Sequence, residues 1–152
     1  MAATREQVAN ALLTAVQGMA FASPINGKSV WVTTSRRLRL WGSVPADQQP
    51  AAFVVAHNEE DTFRGLGLLR IRLHYSVWCY SRTDDPSIVG DTDLNTMLAA
   101  FQTLFPVTED STGQNTLGGL VYWSRIEGRV FKDPGDIDGQ TLLIVPIIVE
   151  MP

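Results

Sequence analysis

The residues whose types could do chemistry are two histidines, one cysteine and two short acidic groupings, and their spacing defeats each reading in turn. His57 and His74 are imidazoles suited to metal binding or proton transfer, but a zinc site needs further Cys, His or carboxylate ligands at fixed spacing, and none accompanies them. Cys79 would be a nucleophile only as a thiolate with cations beside it. Its nearby cations, Arg72 and His74, fall on the opposite side of an alternating strand pattern, so a buried, reduced thiol is expected. Asp133, Asp136 and Asp138, in KDPGDIDG, have a calcium-loop composition without the EF-hand spacing or its closing glutamate. They read as a hydrated turn. Glu59, Glu60 and Asp61 are adjacent acids that lack the burial or partner needed to tune an acid–base pair. Gly65-Leu66-Gly67 is too short for a dinucleotide fingerprint and precedes a strand where that motif follows one; neither GxxxxGK[ST] nor GxSxG occurs. The sequence therefore predicts no catalytic residue, no metal site and no cofactor.

Bulk properties narrow the class. With 12 Lys and Arg against 16 Asp and Glu, the net charge is −4, whereas affinity for a phosphate backbone comes from clustered cations. DNA is expected only in passing. A single cysteine excludes an internal disulfide framework. The N-terminal MAATREQVANALL has no secretory apolar block. Leu142 to Val149, the longest apolar run, contains Pro146 and is too short to span a bilayer. SRRLRL, Ser35 to Leu40, superficially matches a twin-arginine signal but has no apolar segment after it. A cytoplasmic product with no membrane partner is expected, folded as one domain over residues 1–152.

The elements that would position these residues read as follows. Thr4 and Gln7 have capping-box spacing, and Val8, Leu12, Ala15, Val16 and Met19 continue at helical intervals to a stop near Gly18. Ser23 to Gly27 reads as a turn, Ser29–Thr34 and Arg36–Trp41 as extended segments, Gly42–Pro50 as a connection, and Ala51–Asn58 as a buried strand. Leu68–Ser81 is the longest strand pattern. Leu69, Ile71, Leu73, Tyr75, Val77 and Cys79 share one face; Arg70, Arg72, His74, Ser76, Trp78 and Tyr80 share the other. The two strands predict a hairpin with Glu59–Asp61 at an acidic tip. Asp91 is placed to cap a second helix whose stripe is Leu94, Met97, Leu98, Phe101, Leu104 and Phe105, stopped by Pro106. Leu120–Val130 reads as a strand, Asp133–Asp136 as a turn, and Gln140–Glu150 as a strand apolar on both faces, hence central. The fold class is α+β: a mostly antiparallel sheet with two main helices packed on one face. The other face keeps Trp78, Tyr80 and part of the last strand, which invites a partner. Arg36, Arg37 and Arg39 form the one basic cluster and fit an intersubunit salt-bridge strip.

In order and spacing the segments resemble the tail terminator (tail completion) proteins of long-tailed bacteriophages. The carriers are the N-terminal amphipathic helix, SRRLRLWGSVPADQQPAAFVV (Ser35–Val55), RIRLHYSVWCYSRTDD (Arg70–Asp85), DLNTMLAAFQTLF (Asp93–Phe105), TLGGLVYWSRIEG (Thr116–Gly128) and LLIVPIIV. The resemblance covers nearly the whole chain. It implies a structural virion protein, not an enzyme, made in the host cytoplasm. Such a protein assembles as a six-membered ring on the last ring of the tail tube, stops tail growth and meets the head connector. Implied partners are other copies of itself, the tail-tube protein and the head–tail connector, with DNA passing through the lumen. Rings need two unlike patches on each subunit. Arg36, Arg37, Arg39, Arg70, Arg72 and Trp78 are candidates for the subunit interface, and Glu59, Glu60, Asp61 and Arg64 for a lumen or tube contact. Two alternatives stand beside this: another neck component such as a stopper or connector, and a small-ligand-binding α+β domain using the Arg72/His74/Trp78 face as its pocket.

Overall fold

The computed structural model describes residues 3–64, 68–106 and 114–152, without the side chains of 62–64 and 68. Helix α1 (Arg5–Gln17) starts where the capping box requires: Thr4 Oγ1 accepts from the Gln7 amide, and Gln7 returns the bond to the Thr4 amide at 2.8 Å. Gly18 ends it. The next segment departs from expectation. Ala20–Ile25 is strand β1, and it pairs antiparallel with β2 (Lys28–Val30). The turn between them is only Asn26-Gly27, both at positive φ (51° and 73°), the conformation of a two-residue hairpin. Strand β3 (Thr33–Ser35) follows, but Arg36–Leu40 is not strand, and Trp41–Ser43 and Ala46–Gln48 are single 3₁₀ turns.

The main sheet has the order β3, β4 (Ala51–Arg64), β5 (Leu68–Arg82), β8 (Gln140–Met151) and β6 (Trp123–Ile126), with β7 (Phe131–Asp133) also paired to β8. Its long members are β4, β5 and β8, and its short ones are β3, β6 and β7. Every pairing in this sheet is antiparallel except β3 with β4. Leu120–Val130 is thus not one strand: it breaks at Glu127-Gly128, where Gly128 has φ 121°, and β6 and β7 line up end to end along β8. Helix α2 (Gly90–Leu104) begins one residue before Asp91. Val89 is its N-cap and offers no side-chain bond, while Asp91 and Asp93 sit in the first turn, where the helix dipole favours them.

Both helices cover one face of the sheet. Val8, Leu12 and Val16 from α1 and Leu94, Met97 and Phe101 from α2 are fully buried with Val77, Cys79, Leu143, Val145 and Ile147 from the strands. At about 1.5–3 kcal/mol for each large apolar side chain removed from water, this layer is the main source of stability. Among the described residues, the second face is closed only at one end. There Leu38 and Val44, carried by the 36–49 crossing, pack on Ala51, Phe53 and Tyr80. Tyr80, expected to stay available to a partner, is fully buried and donates its hydroxyl to the Arg39 carbonyl at 2.8 Å. The residues read as a second extended strand are the cover for that side chain. Trp78 and Ile144 are half-buried, and Phe131 is exposed.

Candidate functional site

The acidic group read as a hairpin tip lies within β4. Glu59 is opposite Leu73, Glu60 opposite Arg72 and Asp61 opposite Ile71. A bulge between Ala56 and Glu59, at His57-Asn58, sets which way each carboxylate points. Glu59 faces α1 and takes a two-pronged bond from Arg5, with both N···O distances 2.8 Å. Glu60 faces the other way, 3.2 Å from His74 Nε2. The side chain of Arg64 lies outside the described residues. Bulge and charges together guard this sheet edge: among the described residues no strand lies beside the outer side of β4 beyond Phe53, and a bulged, acidic edge discourages pairing with a copy of itself.

The basic cluster is divided by the fold. Arg36 bonds Glu6 and, at 3.0 Å, Asn10 Oδ1, both on α1. This contact holds the Glu6 carboxyl below its ordinary range and raises the guanidinium. Arg39 reaches Gln48 Oε1 at 3.1 Å and lies over the Phe53 ring. Arg37 is exposed. Two of the three arginines thus serve contacts within their own chain.

Three arrangements could carry chemistry. In the first, Ser76 Oγ is 2.5 Å from His57 Nε2, a nucleophile–base spacing that the sequence concealed because 19 residues separate the pair. Ser76 Oγ also accepts the Trp78 indole N–H at 3.1 Å. An acyl-transfer site further needs N–H donors aimed at the developing oxyanion. Ser76 stands mid-strand between Val55 and Pro146, in a strand paired on both flanks, so its ladder neighbours already engage the amides. The second is the Cys79 thiol, fully buried and pushed well up by that burial, which makes it inert as a nucleophile. The third is a 340 Å³ cleft between α1 and the bulge, lined by Arg5, Glu6, Arg36, His57, Glu59 and His74. Its four charged side chains are already paired, Arg5 with Glu59 and Arg36 with Glu6. Among the described residues no three His, Cys, Asp or Glu side chains gather to hold a metal ion.

What the fold does bring together is an arginine–aromatic array at the open end of the second face. Arg72 is opposite Glu150, and Glu150 is opposite Trp123, so one row crosses β5, β8 and β6. Glu150, buried, faces Arg72 Nε at 3.3 Å and Arg70 Nη1 at 3.5 Å. Arg70 stacks over Tyr122, 4.0 Å from the ring centre, and Arg125 over Trp123 at 4.1 Å. Of the sequence-predicted interface residues, Arg70 and Arg72 meet here, Trp78 lies further along the same face, and the Arg36–Arg39 strip is elsewhere. Sequence reasoning missed Glu150, Tyr122, Trp123 and Arg125. The only signal was one carboxylate at the end of an apolar strand, and its neighbours became identifiable only with the register. Arg125 is also bonded to Glu127 at 2.9 Å. Guanidiniums stacked on rings keep their remaining in-plane N–H donors available for carboxylates, so the array suits acidic protein surfaces. No protein-family model matches the chain, and no curated protein matches it.

Proposed function

We propose that this chain is a ring-forming structural protein of a long-tailed bacteriophage, one that caps the head-proximal end of the tail tube, stops tail growth and offers a surface to the head connector. The observation that carries the reading is the half-open second face of the sheet. It presents Trp78, Ile144, Phe131 and the arginine–aromatic array to the outside, which suits contact with protein. Leu40 and Trp41 are exposed in a different region, and Ile88, Val89 and Ile137 in a third. Several unlike sticky patches on one small subunit are what a closed ring with neighbours above and below requires. The segment order set out above supplies the tail terminator as the specific role, with six copies as the expected ring.

Purified chain mixed with tail-tube protein during polymerisation tests this directly. Six-fold rings in negative stain, and tubes that end with the chain bound at one tip, are the expected result. Tubes whose lengths and tips are unaffected by the chain, together with a single-copy mass at every concentration, would overturn it.

A further inference from the structure

In the acidic group of β4, Glu59 is bonded to Arg5 and Glu60 lies beside His74, and in the basic strip Arg36 is bonded to Glu6; two further patches, of opposite net charge, are available to a second copy. They lie at the two ends of the same sheet. At one end is the arginine–aromatic array. At the other, the turn Pro134–Gly139 and the segment Thr83–Val89 flank a 370 Å³ cleft carrying Asp84, Asp85, Asp136 and Asp138. Ile137 stands fully exposed at its rim, with exposed Ile88 and Val89 beside it. Arg72 and Arg82 are opposite Glu150 and Gln140, so ten strand residues, about 33 Å, separate the two ends.

We infer that Ile137 and its flanking aspartates dock onto the Tyr122/Trp123/Arg70/Arg125 array of a second copy of this chain, head to tail. The inference rests on the ring reading above and names its two surfaces. Charge complementarity points to that occupant. Arg70 and Arg72 share Glu150 and Arg125 pairs with Glu127, so three guanidiniums face two carboxylates, whereas at the other end Arg82, bonded to Asp84, offsets one of four aspartates. Arg70 and Arg125 are also ordered by ring stacking, which lowers the entropy lost on taking a further carboxylate. The opposing turn is held equally firmly. A side chain at Gly139 would put its Cβ 2.1 Å from the Thr83 carbonyl oxygen, and one at Gly90 would sit 1.9 Å from that of Pro134, so the two loops and α2 touch backbone to backbone. Ile137 is therefore presented on a fixed turn as an apolar anchor ringed by acids, the usual build of an interface centre. Unlike patches at opposite ends make a heterologous contact, which closes a ring when the rotation between copies allows.

Sedimentation velocity of the purified full chain is the test. Ile137→Asp, Asp136→Arg and Arg125→Asp are each expected to weaken self-association by about tenfold or more, and Asp136→Arg combined with Arg125→Asp in one chain to recover most of it. A second arm uses Tyr122→Cys with Ile137→Cys, since Cys79 is buried. Oxidation is expected to give a ladder of covalent oligomers from the double variant, and nothing beyond a dimer from either single one. Native-like association of Ile137→Asp, or no ladder, overturns the docking. Chains that ladder but never cap a tail tube would retain the docking and retire the tail role. Tubes capped normally by Ile137→Asp would do the reverse, and a native chain that stays single overturns both.

Discussion

The two faces of the sheet have the same strands and opposite fates. On the helix-covered face, alternate residues of β5 and β8 are apolar and buried to a few per cent or less from Leu73 to Cys79 and from Leu143 to Met151. On the other face, the same strands carry Arg72, His74, Ser76, Trp78, Ile144, Pro146 and Glu150, and the described residues cover only the end nearest Phe53 and Tyr80. One face is an interior, finished by the chain itself. The other has an interior at one end and a surface of ordered cations and rings at the other. Stability should therefore reside on the first face and partner recognition on the second.

Truncation on each face is the largest test of that division. Phe101→Ala, in α2, removes a fully buried ring that packs against Trp31, and should cost about 3–5 kcal/mol by urea unfolding. Ile144→Ala, its half-exposed counterpart on the open face, should cost about 1 kcal/mol. Equal losses would mean that the second face is as much a core as the first. The next effect is polar. Glu150→Ala leaves Arg70 and Arg72 without their shared carboxylate at a partly dry site, and about 3 kcal/mol is expected, with Glu150→Gln losing less. A smaller change would show that water already screens the array.

How far this was legible differs by region for physical reasons. The capping box at Thr4 and Gln7, the α2 stripe from Leu94 to Phe105 and the doubly apolar β8 are local patterns, and each lies where the sequence predicts it. The α+β class with both helices on one face followed from those stripes. β1 was hidden because Pro24 and the Asn26-Gly27 pair look like one long turn, whereas only two residues make the bend. The acidic tip became mid-strand because apolar alternation stops at Asn58 while backbone pairing runs on to Arg64. The pairing of Arg70 and Arg72 with Glu150, 78 residues beyond Arg72, is a matter of register and had no local trace. The burial of Tyr80 under Leu38 and Val44 likewise depends on a crossing that propensity reads as strand.

The helix that closes the first face offers a finer probe. Thr4→Ala removes the side-chain acceptor of the Gln7 amide while leaving every buried contact of α1 in place. About 1 kcal/mol should be lost in thermal or urea unfolding, and Thr4→Ser should restore it. A loss near that of Phe101→Ala would mean that α1 docks only as a fully formed unit.

Asp93 gives the smallest effect and the sharpest sign. It sits in the first turn of α2 on the closed face, where Ser81 Oγ lies 3.3 Å from its carboxylate, and burial pushes its pKa up despite that bond. A raised carboxyl pKa means that the folded state disfavours the charged form, so ionised Asp93 subtracts stability at neutral pH. As pH falls through the raised folded pKa towards the ordinary 3.8, the folded chain takes up the proton first and the penalty disappears. Asp93→Asn should therefore be more stable than the native chain at pH 7, by a margin that shrinks on acidification and is gone below the unfolded pKa. Urea midpoints of both chains across that range measure it. A margin that grows on acidification would place the carboxylate among the groups that favour their charged form, and the closed face would then tolerate charge as well as the open one does.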